Sequence, residues 1–171
     1  MDLSFTKKAF DYKVWADQRI LKLISNIDPN KHQNTEYFCH QQLNHVIIVE
    51  ELFRSRILGQ SPRHQSTNTD TLPHYEELSN RLRKSNQWYL TYVDSLNSAE
   101  LERAIRFTFT DGKAGCMSVG EILFHIVNHS TYHRSAIGHA AQCSSYTRPA
   151  DTYSMYIHEV EPNRREKHRS S

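Results

Sequence analysis

Three histidines at four-residue spacing constrain this chain more than any other feature of its sequence. His125, His129 and His133 lie between Ser118 and Gln142, and on a helix of about 3.6 residues per turn that spacing places them on one face. The same face carries aliphatic residues of the kind that enter a core: Ile122, Ala136, Ile137 and Ala140. Burying imidazoles without partners costs free energy. The row of histidines therefore predicts a bound metal ion.

The composition indicates a single domain that is mostly helical. The 171 residues suffice for one core, and glycine and proline are scarce at five each. Lysine plus arginine number 21 against 19 acidic residues, and this balance of +2 predicts neither a nucleic-acid nor a membrane partner. The three cysteines show no paired spacing, and the first residues contain no apolar run. We therefore predict a cytoplasmic protein without disulfides.

Apolar residues at steps of three and four predict three long helices in the first part of the chain. These predicted helices cover residues 4–27, 39–58 and 73–96. Pro29 is expected to stop the first helix, and a polar connection is expected over residues 29–37. The polar residues 61–71 show no periodicity and predict a surface loop.

A fourth histidine lies on the second predicted helix. His45 shares a helical face with apolar neighbours, so its imidazole is expected to point inward: Ile48, Val49 and Leu52. A lone histidine on an apolar face is more often a hydrogen-bonded core residue than a metal ligand. Glu50 and Glu51 fall away from the His45 face, and we predict that both carboxylates are solvated.

The hydrophobic pattern changes period before the histidine-rich helix. Apolar and polar residues alternate over residues 103–110, Asp111 and Gly112 form a tight-turn signal, and a second short strand is expected over residues 113–117. Ser118 and Glu121 then form a capping box that fixes the start of the helix.

The end of the chain predicts one more short helix and a tail. Asp151 is expected to cap a helix that runs to Val160. Residues 1–160 are thus predicted to form the domain, and residues 161–171 a basic, disordered tail.

The spacing of the histidines permits a catalytic metal centre. Two histidines one turn apart chelate one ion, and a third from a facing helix completes a three-nitrogen cap. Periodicity alone leaves open whether the pair is His125 with His129 or His129 with His133. Three imidazoles leave coordination positions free for water or substrate, and the ion would lower the pKa of a water or thiol bound there.

Three phrases of the sequence resemble the DinB-like, or YfiT-like, metalloenzymes. They are FDYKVWADQRIL in the first helix, QLNHV in the second and EILFHIVNHSTYHRSAIGH in the last long helix. The resemblance spans roughly residues 5–141. The last phrase is its most specific part, because a run of NHxxxHR arises by chance far less often than a lone HxxxH.

The resemblance implies an all-α fold: a four-helix bundle of up-down-down-up type, with the small β-hairpin before the last long helix. It further implies that His45, His129 and His133 bind a divalent metal ion, zinc, nickel or iron, and that His125 is a neighbour in the core or the pocket wall. Some relatives of this kind transfer or isomerise with thiols such as bacillithiol or mycothiol, and homodimers are common.

Three functional hypotheses follow. The first is a metal-dependent transferase or hydrolase that acts on a small molecule, possibly a thiol conjugate. The second is a non-catalytic binding or sensory module stabilised by its metal ion. The third is a metal-free bundle whose histidines only form hydrogen bonds, and the three ligand positions on two helices make it the weakest. No residue cluster in the sequence names the substrate or a catalytic residue.

Overall fold

The computed structural model describes residues 2–166, and helices account for most of them. In chain order the elements are α1 Leu3–Ile24, α2 Pro29–Ile57, α3 Tyr75–Ser95, α4 Ser98–Leu101, β1 Ala104–Thr108, β2 Ala114–Ser118, α5 Val119–Cys143, α6 Tyr153–Val160 and α7 Asn163–Glu166. The predicted mostly helical chain with one small hairpin is confirmed. No stretch of residues 2–166 folds into a helix with both the length and the hydropathy that crossing a bilayer demands.

The long helices pack in a closed cycle. α2 packs against α3 and α5, α1 packs against the same two helices, and α1 and α2 contact each other much less. The apolar core is divided into two clusters, one around Phe10, Tyr89 and Ile122 and the other around Ile20 and Ile137. Buried polar side chains lie between these clusters in sequence on α1, α3 and α5, and the buried Glu50 of α2 contacts one of them on each of these helices: Lys13, Ser85 and Ser130. A polar layer therefore crosses the middle of the core.

The start of α2 differs from the prediction. Pro29 does not lie in a polar connection but is the first residue of α2, where its missing N–H group costs nothing. The Asp28 carboxylate accepts a hydrogen bond from the Asn30 N–H group at 3.0 Å and caps the helix. His32, with φ −136° and ψ 46°, interrupts the first turns with a kink. The predicted connection over residues 29–37 is thus wrong, because Asp28 and Pro29 form a helix start.

Local signals fix the end of α2 and the start of α5. α2 ends at a Schellman motif, in which Gly59 adopts a φ of +64° and the Gln60 N–H group donates to the Ser55 carbonyl oxygen at 2.9 Å. The capping box at the start of α5 is present, with Ser118 and Glu121 each bonded to the backbone of the other.

The hairpin turn also follows its sequence signal. The strands pair in antiparallel register from Ala104 opposite Ser118 to Thr108 opposite Ala114. Gly112 takes a φ of +85° in the connecting turn, a conformation that residues with a side chain rarely adopt.

Two predictions about carboxylates are wrong. Glu50 is not solvated but fully buried, and Glu51 is half-buried, where it accepts hydrogen bonds from Arg81. Asp151 does not cap α6, because Thr152 occupies the N-cap position. The Asp151 carboxylate instead pairs with the buried Arg134 at 3.0 Å.

The end of the chain is described in part. Residues 163–166 form one helical turn, and residues 167–171 of the predicted tail lie outside the described residues.

Candidate metal centre

The structure brings His45, His129 and His133 together between α2 and α5. One ring nitrogen from each lies within 4.8 Å of the other two. His129 and His133 are one helical turn apart on α5 with ring centroids at 4.4 Å, and His45 reaches them across the α2–α5 interface, with centroids at 5.0 Å and 4.6 Å. All three side chains are half-buried. The two helices therefore form a cluster that no single helix contains.

Hydrogen bonds fix the orientation of two of these imidazoles. The Nδ1 atom of His45 lies 2.9 Å from the carbonyl oxygen of Thr67, and the Nδ1 atom of His133 lies 2.6 Å from the Oε1 atom of Gln42. Because both oxygens are acceptors, each imidazole donates its Nδ1–H group. In the neutral rings the lone pair is then on Nε2, the tautomer that suits a metal ligand with a supporting outer hydrogen bond.

His129 and His133 are held in the neutral form. Burial, together with the neighbouring His133 and His45, lowers the pKa of His129 to about 3. Burial, together with His45, lowers the pKa of His133 to about 4. These rings keep their lone pairs at neutral pH, so a metal ion would not have to displace protons from them.

The arrangement of nitrogens fits a small divalent ion. The Nε2 atoms of His45 and His129 are 3.1 Å apart. Two nitrogens bound at about 2.0–2.1 Å to a tetrahedral ion would be separated by about 3.3 Å. Within residues 2–166, the buried Nδ1 atom of His129 has no hydrogen-bond partner, so hydrogen bonding alone does not account for this ring.

His125 does not join the cluster. Its ring lies one turn away on α5, 5.1 Å from the His129 ring and 5.1 Å from the ring of Phe53. It is half-buried, and it lines the cavity next to the cluster. Of the two pairs that periodicity left open, the structure thus places His129 and His133 with His45.

A cavity of about 330 Å³ opens beside the cluster. His45 and His129 form part of its wall, and most of the remaining wall is apolar: Val49, Leu52, Phe53, Phe109 and Met117. This volume is near the lower end of the range of about 300–1,000 Å³ for small-molecule sites. A larger groove of about 720 Å³ is also lined by His125, but its lining does not include the three clustered histidines. The smaller cavity is the one that adjoins the candidate metal centre.

A buried ionic network lies behind the histidines in the polar layer. The Lys13 ammonium pairs with Asp17 at 2.7 Å and with Glu50 at 2.8 Å. Asp17 also pairs with Arg134 at 2.9 Å, and the Ser130 hydroxyl, next in sequence to His129, donates to Glu50 at 3.1 Å. Arg134 belongs to this network and not to the histidine cluster, because its guanidinium pairs with Asp17 and Asp151.

Burial and ion pairing act in opposite directions on these charges. Burial alone would lower the pKa of Lys13, but the charges of Asp17 and Glu50 raise it above its ordinary value. Burial would raise the pKa of Asp17, but Lys13 and Arg134 together lower it. For Glu50 burial prevails over the charge of Lys13, and its pKa is raised.

Sequence reasoning missed the residues that support the cluster. Thr67 belongs to the loop that was predicted as a surface connection, and Asn44 fastens that loop to α2 by donating to the Thr69 hydroxyl oxygen at 2.9 Å. Gln42 bonds to His133 across the helix interface. No local signal marks these residues, because their partners are distant in sequence.

The fold and the site define a mostly helical protein with a candidate three-histidine metal centre. The family model described as the DinB family matches residues 2–166, and the chain belongs to that family. It is similar to "Protein DinB" of Bacillus subtilis (strain 168), with 24% identity over 168 residues that cover 90% of this chain and 94% of that protein. The search of solved structures gave no match.

Proposed function

We propose that this protein is a metal-dependent enzyme, a transferase or hydrolase that acts on a small molecule, with a divalent ion held by His45, His129 and His133. The observation that carries the proposal is the convergence of three imidazole nitrogens beside a cavity large enough for a small ligand. Imidazole ligands suit zinc, nickel or iron(II). The thiol-linked substrates implied by the resemblance remain part of the proposal.

The donor set supports a catalytic site rather than a closed structural one. Among residues 2–166, the cluster contains three possible ligands from histidine, cysteine, aspartate or glutamate, and a closed structural zinc site needs about four. Two of the three histidines also line the cavity. Substrate in that cavity would therefore lie next to the open side of the metal centre.

A bound divalent ion would supply Lewis-acid polarisation and would lower the pKa of a water or thiol ligand. The protein's own contribution is orientation and a surrounding of low polarity. Thr67 and Gln42 hold His45 and His133 in the tautomer that presents Nε2 to the cluster. Apolar side chains of the cavity wall lower the local polarity next to His129. This low-polarity surrounding strengthens electrostatic interactions with a bound substrate.

The packing cycle of α1, α3, α2 and α5 supports the four-helix bundle of up-down-down-up type as the fold that carries this site. A homodimer and a cytoplasmic location belong to the same proposal as implications of the resemblance and of the composition.

Metal binding is tested first. Wild-type protein and the His129→Ala variant are stripped with a chelator, offered zinc, nickel or iron(II), and analysed for bound metal. We expect close to one ion per wild-type chain and loss of most of it in the variant, because two ligands chelate more weakly than three. His139→Ala is the matched control, since His139 is exposed on the same helix and lies outside the cluster. Full metal content in His129→Ala would show that the ligand assignment is wrong.

Catalysis is tested second, on the metal-loaded protein. Low-molecular-weight thiols are supplied with electrophilic acceptors, and ester and amide substrates are supplied separately. Turnover that depends on the metal and is lost in His129→Ala supports the enzyme. Stoichiometric metal without turnover in either series favours the alternative, a non-catalytic binding or sensory module stabilised by its ion.

A further inference from the structure

One arginine in the cavity beside the candidate metal centre has no acidic partner. Arg56 projects from the last turns of α2, and its side chain lines the 330 Å³ cavity together with His45 and His129. Among the described residues that form this lining, it is the one lysine, arginine, aspartate or glutamate. Among the described side chains of residues 2–165, no carboxylate lies within 4.0 Å of the Arg56 guanidinium. A positive charge is thus placed in a wall whose other residues are apolar side chains, histidines and threonines.

Aromatic rings hold this guanidinium in place. Its central carbon lies 4.8 Å from the ring centroid of Phe53, 4.3 Å from that of Phe107 and 5.6 Å from that of Phe109. The Nη2 atom donates a hydrogen bond to the Thr108 carbonyl oxygen at 3.1 Å. Stacking on rings uses the faces of the guanidinium and leaves its other N–H groups at the edge. Arg56 is therefore a pre-positioned donor with spare hydrogen-bonding capacity.

The hairpin is shaped to support this arrangement. A Cβ atom at Gly115 would lie 2.7 Å from both the Phe107 and the Phe109 ring, so only glycine lets these rings lie against β2. The rings then reach Arg56 from the hairpin, while Phe53 reaches it from α2. Rings from both the hairpin and α2 thus hold the Arg56 guanidinium in place.

Other arginines of the chain have different partners for their positive charge. Arg134 pairs with Asp17 and Asp151, and Arg81 pairs with Glu51. Arg54 offers the closest comparison, because it also lies over an aromatic ring, that of Trp88, at 4.9 Å. It does not line the cavity beside the histidines. Arg56 differs from these arginines because it combines three features. It stacks on aromatic rings, it has no carboxylate partner among the described side chains, and it lines the cavity beside the histidines.

We propose that the cavity binds a small molecule with an apolar body and a carboxylate, with the carboxylate at Arg56 and the reacting end directed at the three histidines. Arginine binds carboxylates through paired N–H donors, and an apolar cavity strengthens such a charge-assisted bond. The volume admits a ligand of modest size. This inference rests on the proposed function for the role of the histidines, and it makes Arg56 a determinant of substrate class.

The test compares a carboxylate with its neutral isostere. Binding of 3-phenylpropanoate and of 3-phenylpropanamide is measured by calorimetry on chelator-treated and on zinc-loaded protein. The wild type should bind the carboxylate about tenfold or more tightly than the amide in both forms. Arg56→Gln should abolish this preference, and the matched control Arg54→Gln should retain it. Thermal unfolding of each variant checks that the fold is intact.

Several results would overturn the proposal. They are the absence of binding by either probe, equal binding of the two probes to the wild type, and a carboxylate preference that survives in Arg56→Gln. If Arg56→Gln keeps the carboxylate preference only in its zinc-loaded form, the carboxylate binds the zinc ion. That result also contradicts the assignment of the carboxylate to Arg56. Should Arg56→Gln fail to fold, Arg56→Lys decides, because it keeps the charge without the planar fork and should retain a reduced preference.

Failure of this inference can be told from failure of the metal centre. Zinc content is measured on the same samples. Full zinc binding without a carboxylate preference overturns the inference alone. A carboxylate preference that depends on Arg56 in protein that binds no zinc overturns the metal centre and leaves the anion site in place.

Discussion

Replacing Lys13 tests whether the polar layer behind the histidines is as desolvated as its geometry indicates. The Lys13 side chain is completely buried, with its ammonium 2.8 Å from Glu50 and 2.7 Å from Asp17. In Lys13→Met a side chain of similar length and flexibility fills the same space without the charge. Asp17 keeps its pair with Arg134, whereas the Glu50 carboxylate retains only neutral hydrogen-bond donors. The destabilisation should therefore arise mainly from Glu50.

The size of the effect is set by the cost of keeping a proton on Glu50. Its ordinary pKa is 4.5, and burial already raises it in the presence of Lys13. Without Lys13 we expect the folded protein to keep a proton on Glu50 at pH 7. This pH lies about 2.5 units above the ordinary pKa of 4.5, and keeping the proton costs about 1.36 kcal/mol for each unit. The free energy of unfolding should thus fall by about 3 kcal/mol. This lies within the range for a broken buried ion pair and is a large part of a typical stability of about 5–15 kcal/mol.

The sign of the pH dependence follows from the same proton. Without Lys13, burial and Asp17 raise the pKa of Glu50 further, so we expect the folded variant to hold a proton that the unfolded chain releases above the ordinary pKa of 4.5. Stability therefore falls as pH rises, by up to about 1.4 kcal/mol per pH unit, and the deficit of the variant should nearly vanish near pH 4.5. Urea unfolding of wild type and variant at several pH values between 4.5 and 7.5 measures this directly.

Two further variants serve as controls for this prediction. Lys7→Met removes a surface pair with Asp94 at 3.2 Å and should cost less than about 1 kcal/mol with little pH dependence. The double variant Lys13→Met/Glu50→Gln should recover most of the lost stability and lose its pH dependence, because no unpaired carboxylate is left buried at position 50. A deficit in Lys13→Met below about 1 kcal/mol at pH 7, or one that does not change with pH, would refute the reasoning.

Three other predictions concern the metal centre, the start of α5 and the buried thiol. Gln42→Leu should weaken zinc binding about 10- to 100-fold in a chelator competition, because it removes the acceptor that orients His133, and unchanged affinity would contradict that role. Ser118→Ala should lower the free energy of unfolding in urea by about 1 kcal/mol through loss of the helix cap. Burial raises the pKa of the Cys39 thiol to about 12, so a thiol reagent at pH 8 should modify the two exposed cysteines quickly and Cys39 only on unfolding.

Local signals in the sequence were sufficient for several elements of the fold. The Ser118–Glu121 capping box fixes the start of α5, and Asp111 and Gly112 form the turn of the hairpin, because each involves residues within a few positions of one another. Pro29 shows the limit of such signals. A proline can end one helix or begin the next, and only the cap formed by Asp28 distinguishes the two.

Helical periodicity determined which residues share a face but not what covers that face. It placed His129 and His133 on one side of α5, and the resemblance added His45 from α2. It could not show that Glu50 is buried, since α2 is covered by α3 as well as α5 and Lys13 reaches it from α1. A charged side chain that lies outside one apolar face of a helix is solvated only if no other helix covers the face on which it lies.

Tertiary structure alone decided the surroundings of the site. The Thr67 carbonyl comes from a loop and Gln42 from across a helix interface, while Arg56 is held by rings of the hairpin. These contacts join residues far apart in sequence, and packing rather than local preference selects them. The sequence thus marked the histidines of α5 as candidate ligands, and the resemblance selected His129 and His133 from them and added His45. The fold decided that three of their nitrogens converge, which hydrogen bonds orient them, and that a cationic, apolar cavity opens beside them.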